Sequence, residues 1–245
     1  MELLVIVLCL LCERFLVHKS AHNRFHWFMS YANGIVSKLP ISLPAWVKLA
    51  LFLLPLLLVV GIVLHVVDHL LFGMVGLLIN IAVFYYCIGP VNPFYPIHAK
   101  PVDQLGDEDI GHYLVQANSE LFAVLFWYLV SGPVGILAYR LVSLSRGLLA
   151  VSQTASDVLD VFDWLPARMT ALFYLLVGNF QVGYKHFSTL IFTAPEKNKH
   201  LLSTSGLAAL DNSEQKTMLQ AENLVEHATI VFLVLLAICT IVAWV

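Results

Sequence analysis

The stretch WVKLALFLLPLLLVVGIVLH, Trp46–His65, decides the fold class of this chain. It is a nearly unbroken apolar run of the length, about 20 residues, that an α-helix needs to cross the hydrocarbon core of a bilayer. The run therefore predicts a transmembrane helix. It also indicates that the protein belongs to the integral membrane class.

The composition supports this class. Of the 245 residues, 60% are hydrophobic and 12% are charged, whereas soluble domains carry about 25% charged residues. The formal net charge is −3, and no basic run with interleaved aromatic residues occurs, so a nucleic-acid partner is not expected. We expect the lipid bilayer and other membrane proteins as partners, and no cofactor.

Other apolar runs predict further membrane segments. The run Leu121–Val142 contains Ser131-Gly132-Pro133, which should kink the helix. The N-terminal run MELLVIVLCLLCERFLV lacks a basic start and a small-residue cleavage site, so we interpret it as a retained membrane helix or a half-inserted anchor. Met169–Val182 is short for a span. With the remaining runs, Leu70–Ile88 and Ala228–Val245, the prediction is an all-α helical membrane bundle of about five or six segments.

The charges of the connecting segments predict the topology. Residues 18–48 contain four basic residues and no acid, which favours the cytoplasmic side and places the N-terminus outside if the first segment spans. The lysines of the later connections mildly favour six spans. Since no internal repeat or flexible linker is visible, residues 1–245 are expected to form one domain, with several spans, in a bacterial inner membrane.

Two histidine groups could bind a metal, and each has a simpler explanation. His18, His22 and His26 recur every four residues and would share one helix face, as a metal site or as part of an interfacial helix with nearby aromatic residues. The segment HVVDH, with His65 and His69, could relay protons or bind a metal, or form a plain turn between two spans. The identity of any metal stays open.

The segment DVFDWLPARMTALFYLLVG, Asp160–Gly178, joins polar residues to a new apolar run. Residues 150–163 are amphipathic, and their aspartates step by three, which is compatible with Mg²⁺ binding or with a solvated helix face. Pro166 fits the start of a helix, and Leu165 before it is expected outside the helical region. Arg168 near a helix N-terminus needs an anionic partner: Asp160, Asp163, or a phosphate.

A second helix start is predicted before the last apolar run. Asp211-Asn212-Ser213-Glu214 provides capping side chains followed by an acid. The helix that follows is expected over residues 214–245, with an amphipathic first half and a membrane-embedded second half.

Two blocks carry a family resemblance. The segments DWLPARMTALFYLLVG and ANSELFAVLFWYLVSGPVGILAYRL, the latter spanning Ala117–Leu141, resemble the superfamily of AmpE and the CobD/CbiB proteins. CERF, Cys12–Phe15, also resembles the AmpE opening. The resemblance implies binding residues within or just before these blocks, namely Asp160, Asp163, Trp164, Pro166, Arg168, Asn118, Trp127, Tyr139 and Arg140.

The resemblance also yields the functional expectations. CobD/CbiB proteins are similar to an ATP- and Mg²⁺-dependent synthase that joins aminopropanol or its phosphate to a cobyric acid carboxylate. This chain has Val115, Gln116 and Ser119 where that branch places an acidic cluster. We therefore expect a non-catalytic, AmpE-like accessory, sensor or scaffold protein without catalytic residues. A divergent synthase and a subunit of a larger transport or secretion assembly are the alternatives.

Overall fold

The computed structural model describes residues 2–15, 25–40, 42–67, 74–88, 94, 106–210 and 217–242. Within these ranges the regular structure is helical and no strand occurs. The predicted all-α fold is therefore confirmed. The helices are α1 (Glu2–Phe15), α2 (His26–Val36), α3 (Ala45–Val67), α4 (Met74–Cys87), α5 (Asp107–Ala117), α6 (Ala123–Ser145), α7 (Ser152–Phe162), α8 (Trp164–Val177), α9 (Phe180–Leu190), α10 (Asn198–Ala209) and α11 (Met218–Val242).

Three helical runs in the described part are long and apolar enough to cross a membrane: Ala45–Val67, Asp107–Ser145 and Met218–Val242. Val75–Cys87 and Trp164–Val177 are shorter apolar helices. Large apolar side chains of α3 face outward, and Leu58 is 62% exposed. Such a surface is stable in lipid and costly in water, which identifies a helical membrane bundle.

A helix, α1, is present where the N-terminal membrane segment was predicted. α1 covers 14 residues in the described part, or about 21 Å at about 1.5 Å per residue, which is less than the roughly 30 Å of a bilayer core. Residues 16–24, which contain His18 and His22, and residues 68–73 lie outside the described part.

The kink expected in the Leu121–Val142 run is present in α6. Gly132 has φ 63° and ψ −154° inside the helix, a combination that is nearly restricted to glycine. Pro133 follows and cannot donate a backbone hydrogen bond. The kink is therefore built by the two residues that the sequence pointed to.

The boundaries around α8 differ from the prediction. Only Asp163 separates α7 from α8, and Leu165 is already helical, so its expected exclusion from the helix is wrong. Pro166 lies in the first turn of α8, where its missing N–H is tolerated. α8 also ends at Val177 rather than at residue 182, because Gly178 ends the helix and the Asn179 side chain accepts from the Val182 N–H at 3.3 Å to begin α9.

The last helix begins later than predicted. Thr217, which falls inside the expected helix, is not helical, and its hydroxyl accepts from the Gln220 N–H at 3.4 Å and so caps α11. α11 begins at Met218, and residues 211–216, which include the expected capping residues, lie outside the described part. Its first half is amphipathic, because buried residues recur at spacings of three and four: Met218, Ala221, Leu224, Val225, Ala228, Thr229 and Phe232.

The chain divides into two compact units. The first comprises Met1–Cys12, Lys19–Pro90 and Val124–Phe162. Its core includes an edge-to-face pair of Phe84 and Tyr128, with ring centroids 4.7 Å apart. The one-domain prediction remains a prediction.

The second unit comprises Glu13–His18, Val91–Ala123 and Asp163–Val245. Here α10 packs against α5, α8 and α9. Small residues permit the close approach: a Cβ on Gly111 would lie 3.2 Å from Ser203 Cβ, and a Cβ on Gly206 would lie 2.8 Å from Leu114 Cδ1. α10 is thus the central helix of this unit.

Candidate functional site

The two family-like blocks meet inside the second unit. The Thr170 hydroxyl on α8 donates to Asn118 Oδ1 at 2.9 Å, and the Tyr174 hydroxyl donates to the Leu114 carbonyl at 3.0 Å. Asn118 begins a π-helical turn, Asn118–Phe122, a distortion that is frequent at functional sites. Distant parts of the sequence are therefore joined by buried polar contacts, and Asn118 is held by the protein itself.

An aromatic cluster supports this junction. Phe122 from the π-helical turn lies 5.9 Å from Tyr174, with the rings nearly perpendicular. Phe173 and Phe232 form a second edge-to-face pair at 5.7 Å. Such pairs stabilise a core beyond the area that they bury, so the polar contact at Thr170 is set in a rigid, apolar surrounding.

Arg168 is buried, with 5% of its surface exposed. Its Nε donates to the Ile191 carbonyl at 2.8 Å and its Nη2 to the Thr193 carbonyl at 2.8 Å. Its Nη1 donates to the Trp164 carbonyl and to Asn198 Oδ1, both at 2.6 Å. The guanidinium also lies 4.2 Å from the centre of the Trp164 ring.

The acceptors of these hydrogen bonds are neutral oxygens rather than carboxylates. The Ile191 carbonyl belongs to the cap of α9, and the carbonyls at a helix C-terminus carry partial negative charge. This partner replaces the anion that the sequence analysis expected from Asp160, Asp163 or a phosphate. Asp163 occupies the N-cap position of α8 without a side-chain capping hydrogen bond, and Pro166 is buried in the first turn. Asp160 lies on α7 in the first unit.

Three predicted residues lie on α6 in the first unit. Arg140 is 1% exposed, and its Nε donates to the Cys87 carbonyl at 2.9 Å. Tyr139 beside it is fully buried. The Trp127 ring packs against Phe162 with centroids 5.1 Å apart, and its Nε1 is buried without a hydrogen-bond partner. These side chains pack inside the first unit.

A charged groove of about 300 Å³ lies in the second unit, between the start of α5 and the start of α10. Its ionisable side chains are two carboxylates, one amine and two imidazoles. The carboxylate of Asp109, the third acid of this run, is directed elsewhere and accepts from the Gly106 N–H at 3.2 Å, at the helix start. The groove is lined by Asp107, Glu108, Gly111, His112, Val115, Lys199, His200, Ser203 and Leu207.

The groove combines groups that favour anions with groups that favour cations. The N-terminal ends of α5 and α10 both contribute to it, and helix N-termini favour anions. Lys199 adds a positive charge, while Asp107 and Glu108 add oxygen ligands of the kind that Mg²⁺ prefers.

The sequence analysis missed this groove. No role was given there to Asp107, Glu108, Lys199 or His200. The pattern that could have found them is helical spacing: Asp107, Gly111 and Val115 recur every four residues, as do Glu108 and His112, and this places them on one face. Nothing in the sequence pairs that face with α10, because the pairing is a long-range contact.

The metal hypotheses find no support in the described part of the chain. Within it, no group of three or more His, Cys, Asp or Glu side chains is arranged to hold a metal ion. His26 and His65 are exposed on α2 and α3. Mg²⁺ usually keeps several waters and binds through one or two carboxylates plus substrate phosphates, so the acidic pair of the groove fits Mg²⁺ only together with a phosphate ligand.

The fold defines the class, a helical membrane bundle, and one of its grooves is lined by charged side chains. The chain is similar to the cobalamin biosynthesis protein CobD of Chromobacterium violaceum, with 32% identity over 105 residues, 40% of this chain and 34% of that protein. It is also similar to CobD of Stutzerimonas stutzeri, with 26% identity over 95 residues, 34% of this chain and 31% of that protein. The match therefore spans about a third of each relative. No protein-family profile matches the chain, and no solved structure matches it.

These matches support the CobD/CbiB superfamily and correct the main functional expectation. A non-catalytic AmpE-like accessory, sensor or scaffold role is wrong, because the matched relatives are named for cobalamin biosynthesis. A signalling role and a larger assembly gain no support. The expectation took the neutral residues Val115, Gln116 and Ser119 as a sign of lost activity. Two other acids, Asp107 and Glu108, line a groove on α5.

Proposed function

We propose that the protein acts in cobalamin biosynthesis as a CobD/CbiB-like, amide-forming membrane synthase. It would join aminopropanol or its phosphate to a carboxylate of cobyric acid, with ATP and Mg²⁺. The observation that carries the proposal is the 32% identity with the CobD protein of Chromobacterium violaceum. The junction of the two family-like blocks at Asn118 and Thr170 supports it.

The groove of the second unit is the proposed reaction site. A bound Mg²⁺-ATP would supply activation of the substrate carboxylate. Asp107 and Glu108 would hold the metal, Lys199 would neutralise phosphate charge, and His112 or His200 would accept the proton that the amine must lose before it attacks. A corrin ring is larger than a groove of about 300 Å³, so the groove would receive the phosphates and the small amine.

The proposal is tested with the purified protein in lipid nanodiscs. Cobyric acid, aminopropanol phosphate and Mg²⁺-ATP are added, and the amide product is followed by liquid chromatography and mass spectrometry. We expect product from the wild type only when ATP and Mg²⁺ are both present. Absence of product from folded protein, with either amine as substrate, would refute the proposal.

Matched variants localise the activity. Lys199→Met removes a charged hydrogen-bond donor worth about 1.5–3 kcal/mol, which corresponds to roughly a 10- to 150-fold loss of kcat/KM. Glu108→Gln should produce a loss of similar order. Lys185→Met and Glu196→Gln, at exposed positions of the same unit outside the groove, should retain activity. Equal losses in all four variants would exclude the groove as the site.

We also propose that the protein crosses the bacterial inner membrane several times. The apolar helices Ala45–Val67, Asp107–Ser145 and Met218–Val242 support this arrangement. Reporter fusions at Lys38 and at Asp157 would show whether the basic segment before α3 lies in the cytoplasm, as the positive-inside rule predicts. A periplasmic signal at Lys38 would contradict the proposed orientation.

A further inference from the structure

A buried arginine is connected to the groove through one amide side chain. We propose that Arg168 is a positioning residue, which fixes the start of α10 and thereby places Lys199 and His200 in the groove. This inference rests on the proposed function of the groove. It replaces the sequence-based expectation that Arg168 contacts the ligand.

The guanidinium of Arg168 donates four hydrogen bonds from its five N–H groups to protein oxygens. Each of its three nitrogens donates at least one hydrogen bond of 2.8 Å or less to a protein oxygen. The Trp164 ring covers one face of the group at 4.2 Å. A ligand phosphate could bind the planar fork of Arg168 in a bidentate manner only by displacing some of these partners, so the group serves the protein interior.

The oxygens that accept hydrogen bonds from Arg168 include groups at both ends of the connection from α9 to α10. The carbonyls of Ile191 and Thr193 follow α9, and Asn198 is the first residue of α10. Arg168 therefore holds both ends of the short connection from α9 to α10. The Trp164 indole N–H donates to the same Thr193 carbonyl at 3.2 Å, and Pro195 restricts the backbone in between.

The connection from α9 to α10 leads directly into the groove. Asn198 is buried, and Lys199 and His200, the next two residues, line the groove. Because these three residues share one helical turn, the position of Asn198 determines where the amine and the imidazole lie. Lysine could not replace Arg168, since an ammonium lacks the planar fork that reaches several acceptors together.

The structural part of the inference is tested by hydrogen–deuterium exchange of the full-length protein in nanodiscs. Arg168→Lys and Asn198→Ala should accelerate exchange in residues 194–202 at least about tenfold, because both remove restraints on local opening. Asn198→Asp keeps an acceptor and should restore slow exchange. Arg146→Lys, at an exposed arginine on the surface, is the control and should change nothing. Unchanged exchange in Arg168→Lys and Asn198→Ala would overturn the inference whether or not the protein forms an amide.

The functional part is tested by a double-mutant cycle on Mg²⁺-ATP binding. If Arg168 acts through Lys199, Arg168→Lys should weaken binding about tenfold in the wild type and less than about threefold in Lys199→Met. Additive losses would indicate an independent contact with the ligand and would overturn the inference. If the exchange results hold but the wild type binds no nucleotide and makes no amide, the proposed function fails and the structural role of Arg168 stands. Asn198→Ala provides the same cycle if Arg168→Lys does not accumulate.

Discussion

The hydrogen bond between Thr170 and Asn118 gives the sharpest test of the fold, because it joins the two family-like blocks. We predict that Thr170→Val destabilises the protein measurably. The substitution keeps the branched shape of the side chain and removes the hydroxyl that donates to Asn118 Oδ1 at 2.9 Å. Both side chains are almost fully buried, so the Asn118 oxygen would lose this donor without gaining water.

The magnitude follows from two estimates. A buried acceptor left unsatisfied costs about 1–3 kcal/mol in soluble proteins. Hydrogen bonds between membrane helices are weaker on average, at about 0.6 kcal/mol with a maximum near 1.7. Since Asn118 and Thr170 lie in an aromatic surrounding, we expect a loss of about 1–2 kcal/mol in the free energy of unfolding.

The measurement is an SDS unfolding titration of the purified protein, followed by circular dichroism. Thr240→Val is the matched control, because the Thr240 hydroxyl bonds only to the Leu236 carbonyl one turn earlier on an exposed face of α11. We expect less than about 0.5 kcal/mol for the control. In the cycle with Asn118→Leu, the two changes should couple by about 0.6–1.7 kcal/mol. Additive effects, or equal losses at residues 170 and 240, would show that the two blocks are not joined as described.

Further predictions concern residues whose size, conformation or hydrogen bonding the fold requires. For each variant the measured quantity is the change in the free energy of unfolding. Gly206→Ala should destabilise by about 1–3 kcal/mol through overpacking, because its new Cβ would lie 2.8 Å from a leucine side chain of α5; Gly34→Ala, with nothing within 4 Å, should be neutral or stabilising. Gly132→Ala should lower the free energy of unfolding by about 1–3 kcal/mol, because φ is 63° at this position. Gly61→Ala, within the regular helix α3, should raise it by up to about 1 kcal/mol. Trp164→Phe keeps a ring beside the guanidinium but loses the indole donor, and a loss of about 0.5–1.5 kcal/mol is expected; a loss above about 3 kcal/mol in this variant would indicate that stacking rather than the hydrogen bond dominates.

The sequence predicted most of the helices because hydrophobic length is a local property. The predicted span Trp46–His65 corresponds to helix α3, Ala45–Val67. The kink at Gly132 was predicted from this glycine and the proline that follows it. The boundary at Val177 was missed because an apolar count does not register that Gly178 and Asn179 end one helix and begin another. Backbone conformation overrode hydrophobicity at that point.

The candidate site was harder to predict, because its parts come from distant segments. Arg168 was recognised as unusual near a helix N-terminus, but its partners are backbone carbonyls of a later connection, which no residue type reveals. Glu108 and Lys199 are far apart in the chain, and only the packing of α5 against α10 brings them to one groove. A local pattern can identify a face of a helix, but it does not identify the helix opposite.

The contact between Arg140 and the Cys87 carbonyl bears on how the protein enters the membrane during synthesis. An arginine at the centre of a helix costs about 2.5–3.5 kcal/mol on insertion scales. Arg140, five residues before the end of α6, carries part of that cost, so α6 would insert less readily by itself. The acceptor lies at the end of α4, which precedes α6 in the chain and leaves the ribosome first. α4 can therefore be present beside the translocon before α6 and supply the hydrogen-bond acceptor for Arg140. Because the acceptor is a backbone carbonyl, the contact is removed from the side of the arginine, and Arg140→Leu should make the integration of α6 less dependent on α4.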